Sequence, residues 1–313
     1  MTTSGVSDYT ITAGDLINEV LQDLGVLALG ETAASEYTEA SLRALNDLLK
    51  QYMGGPSPLL PSAKRWKREF LLIPLAAKAE YLIGLRRLAF TSGGTTEIVP
   101  GNTITGATSA STANVLAVIT TSGTWAGGDA AGYFIIDTNA AAFVSENLGV
   151  GTSLNLATIA GNSTQYGPPL DILGAMYRES DGTDAPMEPM TLQEYLAIGD
   201  KDASGTPTRY YFEKQIDRFR LFLDYQPSDI TEDILLAVML PLEDLDALTD
   251  HIDVPREWFR AIKWSLAKEL YPKFPSSKDR QQMVMGLATE AMAIANTAEP
   301  DDVVHYFQPG LDE

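Results

Sequence analysis

From residue 88 to residue 165 the chain contains no lysine or arginine, and its charged residues there are Glu97, Asp129, Asp137 and Glu146. Gly, Thr, Ser and Ala dominate this stretch, interrupted by the apolar runs 115–119, 133–136 and 154–159. Chains that stay unfolded carry high charge and few β-branched residues, since they have too little apolar surface to bury. This stretch has the opposite balance. Short Val/Ile/Leu runs parted by glycine turns predict a small all-β domain over residues 89–165, inserted into a chain of different character.

The flanking segments carry helical periodicity. Thr12 followed by Asp15 is an N-cap with an acid three residues on, and Ile17, Val20, Leu21 and Leu24 follow at helical spacing before Gly25. A second helix is predicted from about Thr38 to Met53, striped by Leu42, Leu45, Leu48, Leu49 and Tyr52 and stopped at Gly54-Gly-Pro56. These two should form a hairpin. Strands are expected over residues 63–73, 81–84 and 170–177, and a short helix after the capping box Thr191-Leu-Gln-Glu194. Runs 209–213, 219–223 and 234–239 read as a meander. Pro255 suits a first helical turn, with Phe259, Ile262, Leu266 and Leu270 on one face of the helix that follows. A last helix, about Lys278 to Asn296, is expected to bury Met283, Leu287, Ala291 and Ile294. The expected class is α+β. A helical body (N-terminal helix hairpin plus two long C-terminal helices) spans 1–88 and 166–298 and carries the β-meander. The all-β insertion occupies 89–165, and an extended tail occupies 299–313.

The 313 residues carry a net charge of −20 and include no cysteine. Disulfides and thiolate metal sites are therefore excluded, and the composition suits a reducing cytoplasm. No apolar stretch approaches the ~18–20 residues of a membrane span, so no membrane partner is expected. The acid excess argues against tight binding of nucleic acid through a general basic face. It is also uneven, because residues 221–255 contain no lysine or arginine. Within that region Asp229, Glu232, Asp233, Glu243, Asp244 and Asp246 are candidates for an acidic channel wall or subunit interface; a solvated acidic surface is the plainer alternative. Lys64, Arg65, Lys67 and Arg68 alternate with Trp66 against this acidic background. They are candidates for contact with DNA phosphates or with an acidic neighbouring subunit, or they form one wet face of a strand.

Catalytic chemistry finds no foothold. The two histidines, His251 and His305, lie outside any HExxH, GxSxG or phosphate-loop pattern. One histidine beside Asp250 and Asp253 is a poor metal site, so neither a metal nor a cofactor is expected. Carboxylate pairs of the glycosidase kind have no local pattern here.

Several phrases occur in a fixed order. They are Ile11-Thr-Ala-Gly-Asp-Leu-Ile17 with Leu24-Gly-Val26, Leu42-Arg-Ala-Leu-Asn-Asp-Leu-Leu49, Glu80-Tyr-Leu-Ile-Gly84, Gly205-Thr-Pro-Thr-Arg-Tyr-Tyr211, Leu240-Pro-Leu242, Val254-Pro-Arg-Glu-Trp258 and Leu266-Ala-Lys-Glu-Leu-Tyr271. Together they resemble the head-to-tail adaptor (connector) proteins of short-tailed bacteriophages. The insertion departs from that pattern. The resemblance implies a structural virion protein of the phage neck, assembled in the bacterial host cytoplasm as a homo-oligomeric ring, a dodecamer. It further implies that the ring sits below the portal protein, extends the DNA channel and joins a tail nozzle or tail tube protein, with double-stranded DNA passing without specific contact. It also implies that the C-terminal segment reaches the portal. A tail from Thr297 onward could span ~55 Å when extended, and Val303, Val304, Tyr306 and Phe307 would be its apolar anchor. A peptidoglycan-degrading virion protein, or a carbohydrate-binding or decoration module carried by the insertion, are the alternative readings.

Overall fold

The computed structural model describes residues 9–54, 64, 66–91, 93–137, 142–274 and 277–298. Among these residues lie sixteen strands and five α-helices. They divide into two compact units, residues 1–66 with 242–313, and residues 67–241. None of the helices among the described residues is long and apolar enough to cross a membrane.

The first unit contains α1 (Ala13–Asp23), α2 (Ser35–Met53), α4 (Phe259–Leu270) and α5 (Lys278–Ala298), while α3 (Leu192–Ala197) belongs to the second. Thr12 caps α1 as its sequence predicts, its hydroxyl accepting the Asp15 N–H. The stripes Leu16, Ile17, Val20, Leu21 on α1 and Leu45, Leu48, Leu49, Tyr52 on α2 are buried. Both helices pack on α4, which buries Ala261, Ile262, Leu266 and Leu270. A 3-10 turn over Arg256–Trp258 leads into α4. On α5 the buried face is Val284, Ala288, Ala291, Met292 and Ala295, whereas Met283 and Ile294 are exposed. The expected stripe and the buried one share Ala291 and differ by a rotation of under a third of a turn. Three alanines with Val284 and Met292 make up the buried face, and Met283 and Ile294 are left on the flank.

The second unit is built of strands. β1 (Arg68–Pro74), β2 (Glu80–Ile83), β10 (Asp171–Arg178), β11 (Asp184–Pro189), β13 (Arg209–Lys214), β14 (Phe219–Leu223) and β16 (Asp233–Met239) form one sheet in the order β1-β16-β10-β11-β13-β14-β2. A second sheet comprises β3 (Leu85–Thr91), β4 (Thr103–Gly106), β5 (Thr112–Ser122), β6 (Ala131–Asp137), β7 (Glu146–Val150), β8 (Ser153–Ile159) and β9 (Thr164–Tyr166). It curls until β3 pairs with both β8 and β6, a barrel-like closure that leaves few unpaired edges. β12 (Ser204–Gly205) and β15 (Gln226–Pro227) make a short parallel pair.

Two cores meet at β5 and β6. Phe134 and Ile136 point into the curled sheet with Phe90, Ile104 and Leu148. Tyr133 and Ile135 point the other way, into a core shared with Leu71, Phe219, Leu221 and Leu236. The run 133–136 is continuously apolar because alternate side chains enter different cores.

This overturns the expected helical body. Strands dominate the fold, and the last two helices have only 12 and 21 residues. The meander does not form either: β13 and β14 are a hairpin, but β16 leaves them to lie between β1 and β10. Leu71, Leu72 and Ile73 on β1 match Leu236, Leu235 and Ile234 in register. A strand finds the neighbour that completes its core, and that neighbour need not be the nearest in sequence.

Candidate functional site

Several of the ordered phrases converge in the first unit on residues 242–252, an irregular strap held by the ends and faces of helices. Asn46 on α2 donates from Nδ2 to the Leu245 carbonyl at 3.0 Å and accepts the Leu245 N–H at 2.9 Å, as a strand partner would. One turn on, Lys50 donates to the Leu242 carbonyl at 3.3 Å and pairs with Asp244 at 2.5 Å. Met53 Sδ accepts the Leu242 N–H at 3.1 Å. These three residues share one helix face by their spacing.

The N-terminus of α1 holds the other half. Its first N–H groups have no acceptor within the helix. Ala13 N and Gly14 N donate instead to Asp250 O and Leu248 O, both at 2.8 Å. A Cβ on Gly14 would stand 2.9 Å from the Leu248 carbonyl oxygen, so a glycine is required there. Leu242, Leu245 and Ile252 are buried, while Glu243, Asp244 and Asp246 are exposed. The strap is thus an acidic ribbon with an apolar underside.

The C-terminal end of α1 is closed by α5. Arg280 Nη1 donates to the Leu24 carbonyl at 2.8 Å, a cation where the helix dipole favours one. Gly25 turns away at φ +75, and a Cβ there would collide with that guanidinium. Lys263 on α4 lies 3.0 Å from Glu19 and 2.9 Å from Asp23. Burial works to lower its pKa, but the two carboxylates outweigh this and hold it above the ordinary lysine value.

The basic candidates are divided between the two units. Lys64 belongs to the first unit and is 4% exposed, with its ammonium 4.6 Å from the Trp258 ring centroid. Trp258 also meets Trp66 and Tyr52 edge-on, and burial pushes the Tyr52 phenol up to about 12. Lys67 and Arg68 belong to the second unit, Lys67 lying over Tyr166 at 5.4 Å. Arg65 lies outside the described residues.

The acidic candidates divide in the same way. Glu243, Asp244 and Asp246 lie on the strap, whereas Asp229, Glu232 and Asp233 lie in the second unit. There Asp229 accepts from Thr231, Glu232 accepts the Tyr177 hydroxyl, and burial pushes the Asp233 carboxyl up against the pull of Arg178. His251 is exposed and forms a bridge with Thr12. His305 and the tail residues Val303, Val304, Tyr306 and Phe307 lie outside the described residues.

Two buried acids carry structure that residue pattern did not single out. Asp224 accepts Thr208 N at 3.0 Å, Thr208 Oγ1 at 2.7 Å and Arg209 N at 3.1 Å, which accounts for the phrase Gly205-Thr-Pro-Thr-Arg209. Glu146 accepts Thr108 N at 2.6 Å, Ser109 N at 2.8 Å, Ser109 Oγ at 2.6 Å and Val144 N at 3.2 Å. Burial would raise its pKa, but these bonds prevail and lower it. The available signal for Glu146 was its position as a lone acid in a charge-poor stretch.

Two hollows are open to solvent. A groove of ≈ 580 Å³ in the first unit runs between α2, with Ala40, Arg43, Ala44, Asp47 and Leu48, and the end of α4, with Glu269 and Lys273 beyond it. A smaller one of ≈ 250 Å³ in the second unit is lined by Lys78, Tyr81, Asn114 and Asp137. Burial raises the Asp137 carboxyl there, against two hydrogen bonds from Asn114. Among the described residues no group of three or more His, Asp and Glu is placed to hold a metal ion. Neither a protein-family model nor a curated protein matches the chain.

Proposed function

We propose that the chain is a structural ring subunit, a head-to-tail adaptor that joins the portal of a short-tailed bacteriophage to its tail, and not an enzyme. The observation that carries this reading is where the resembling phrases fall. Those from residues 11–49 and 240–271 are far apart in sequence, yet Gly14, Gly25, Asn46, Leu242 and Trp258 all serve in holding one unit together. Residues shared with a family because they lock a fold are expected to be the ones that persist, so the resemblance rests on constraint and not on composition. The net charge of −20 fits a channel component past which DNA slides without sticking.

The reading is tested by mixing the full chain with the portal ring of its own phage. A stable complex with a closed ring of chains on the portal is the expected result, weakened when residues 299–313 are deleted. Failure to associate at any ionic strength would overturn the adaptor role. Unchanged affinity after the deletion would overturn the role assigned to Val303, Val304, Tyr306 and Phe307.

A further inference from the structure

Strands β5 and β6 bring Asn114, Leu116 and Asp137 against the turn between β1 and β2, and a hollow of ≈ 250 Å³ lies between them. Its lining comes both from the charge-poor insertion and from residues 73–83, so neither stretch makes the hollow alone. Pockets that take drug-sized ligands hold ~300–1,000 Å³. This one is smaller, and a single ring with its substituents is the size it suits.

The walls are apolar where the buried Leu75, Ile83 and Leu116 contribute. Three polar side chains line it as well, Asp137, Asn114 and Lys78. Asp137 accepts the Asn114 N–H at 3.2 Å on one oxygen and Asn114 Nδ2 at 2.9 Å on the other. A carboxylate has about four acceptor sites, so about two stay open. Burial raises this carboxyl in spite of both bonds, so its charge is poorly solvated and a further donor would stabilise it. Asn114 Oδ1 accepts the Thr103 hydroxyl, and one amide hydrogen is left over. Lys78 is exposed at the rim, its ammonium 4.8 Å from the Tyr81 ring centroid.

These groups select the charge of a ligand. An anion would be repelled by Asp137 inside the hollow, and a cation by Lys78 at its rim. A hydroxyl both donates and accepts, so it serves a carboxylate and an ammonium alike. Neighbouring hydroxyls on a ring whose C–H face lies on Leu116 and Ile83 answer both parts of the lining.

We infer that the hollow between the β1–β2 turn and strands β5 and β6 binds a neutral polyhydroxylated ring, a single sugar residue. Asp137 accepts from adjacent hydroxyls, and Lys78 donates at the rim. The inference is independent of the adaptor reading. It also differs from a module carried by the insertion alone, because residues 73–83 supply most of the lining.

The full-length chain is titrated with glucose, galactose, mannose and N-acetylglucosamine, with glycine and leucine as zwitterionic controls, and followed by ligand-observed NMR. The expected result is saturation transfer to at least one sugar at millimolar concentration and to neither amino acid. Affinity should fall at least tenfold in Asp137→Asn and severalfold in Lys78→Met. Lys78 is exposed and lies outside the strands, so its variant decides the matter if Asp137→Asn does not fold. Transfer to no sugar would overturn the inference, and so would sugar binding that both variants leave unchanged. Transfer to the amino acids in place of the sugars would sink the neutral ligand.

Discussion

The two units of the chain are held together by different means. In the first, two of the four helices grip an irregular strap, α1 by its end and α2 by one face, through named hydrogen bonds from Asn46, Lys50, Ala13 and Gly14. In the second, two cores lie on opposite faces of strands β5 and β6, and alternate residues of one run fill them both. The first arrangement depends on particular atoms, so few substitutions are tolerated at few places. The second depends on volume and alternation, so composition can drift toward Gly, Thr and Ser provided the inward positions stay apolar. Local stability should therefore be graded along the strap and nearly uniform within the sheets.

The largest effect expected is from breaking the sheet side of this contrast. Phe134 is fully buried and stacks on Phe90 at 4.5 Å. Phe134→Ala should cost about 4 kcal/mol through lost burial and the cavity left behind. Ile135→Ala, on the opposite face of the same strand, should cost about 3 kcal/mol. If the shared strands couple the cores, both variants lower the midpoint of one and the same denaturant transition. Two transitions, each moved by one variant only, would show that the cores unfold independently.

Glu146 sharpens the picture because it brings first-unit behaviour into a second-unit sheet. Four hydrogen bonds converge on one carboxylate, and Glu146→Ala would leave three backbone N–H groups and a hydroxyl unpaired, at about 3 kcal/mol. Its folded pKa lies below the ordinary 4.5, so its contribution is complete above that pH and is lost as pH falls through the folded value. The stability gap between wild type and variant should be constant from pH 8 to about pH 5 and shrink below about pH 4. A gap that persists at pH 2 would mean that the carboxylate's charge is not what the turn at residues 106–111 uses.

Helix ends and stripes were legible in the sequence because their signals are local. Thr12 with Asp15, Thr191 with Glu194 and the α2 stripe each lie within a few residues, and all three appear as expected. Strand partners were not legible. β11, with Met187 as its single buried residue, has no apolar run to announce it, and β16 is separated from its partner β1 by about 160 residues of chain. Helical signals are local and weak strands are silent, so the sequence reads as more helical than the fold is. The α5 face is illegible for a related reason. Apolar residues lie on both its flank and its buried face, and only a packed neighbour shows that Val284, Ala288, Ala291, Met292 and Ala295 are the ones covered. Of the candidate site residues, Lys64 illustrates the limit best, since nothing local tells a lysine on a wet strand from one laid against Trp258.

The strap side yields the smaller effects. Asn46→Ala removes both bonds to Leu245 and should cost about 2 kcal/mol. Amide exchange at residues 242–252 should rise by at least tenfold while exchange in β5 and β6 stays unchanged; equal acceleration everywhere would show that the strap opens only with the whole molecule.

Lys263→Met is the mildest test and the most discriminating. Its side chain is 24% exposed and its partners Glu19 and Asp23 are 47% and 34% exposed, so solvent screens most of the attraction. The methionine keeps the stem packed between α1 and α4, and the net loss should be about 0.5 kcal/mol in low salt, vanishing near 1 M salt. The raised lysine pKa fixes the sign of the pH effect. The contribution is present at neutral pH and lost only as pH rises through the folded value, above 10.5. A loss larger than that of Asn46→Ala, or one indifferent to salt, would place α1 among elements held by charge and not by burial of Leu16, Ile17, Val20 and Leu21, and the grip on the strap would then have to be traced to that charge.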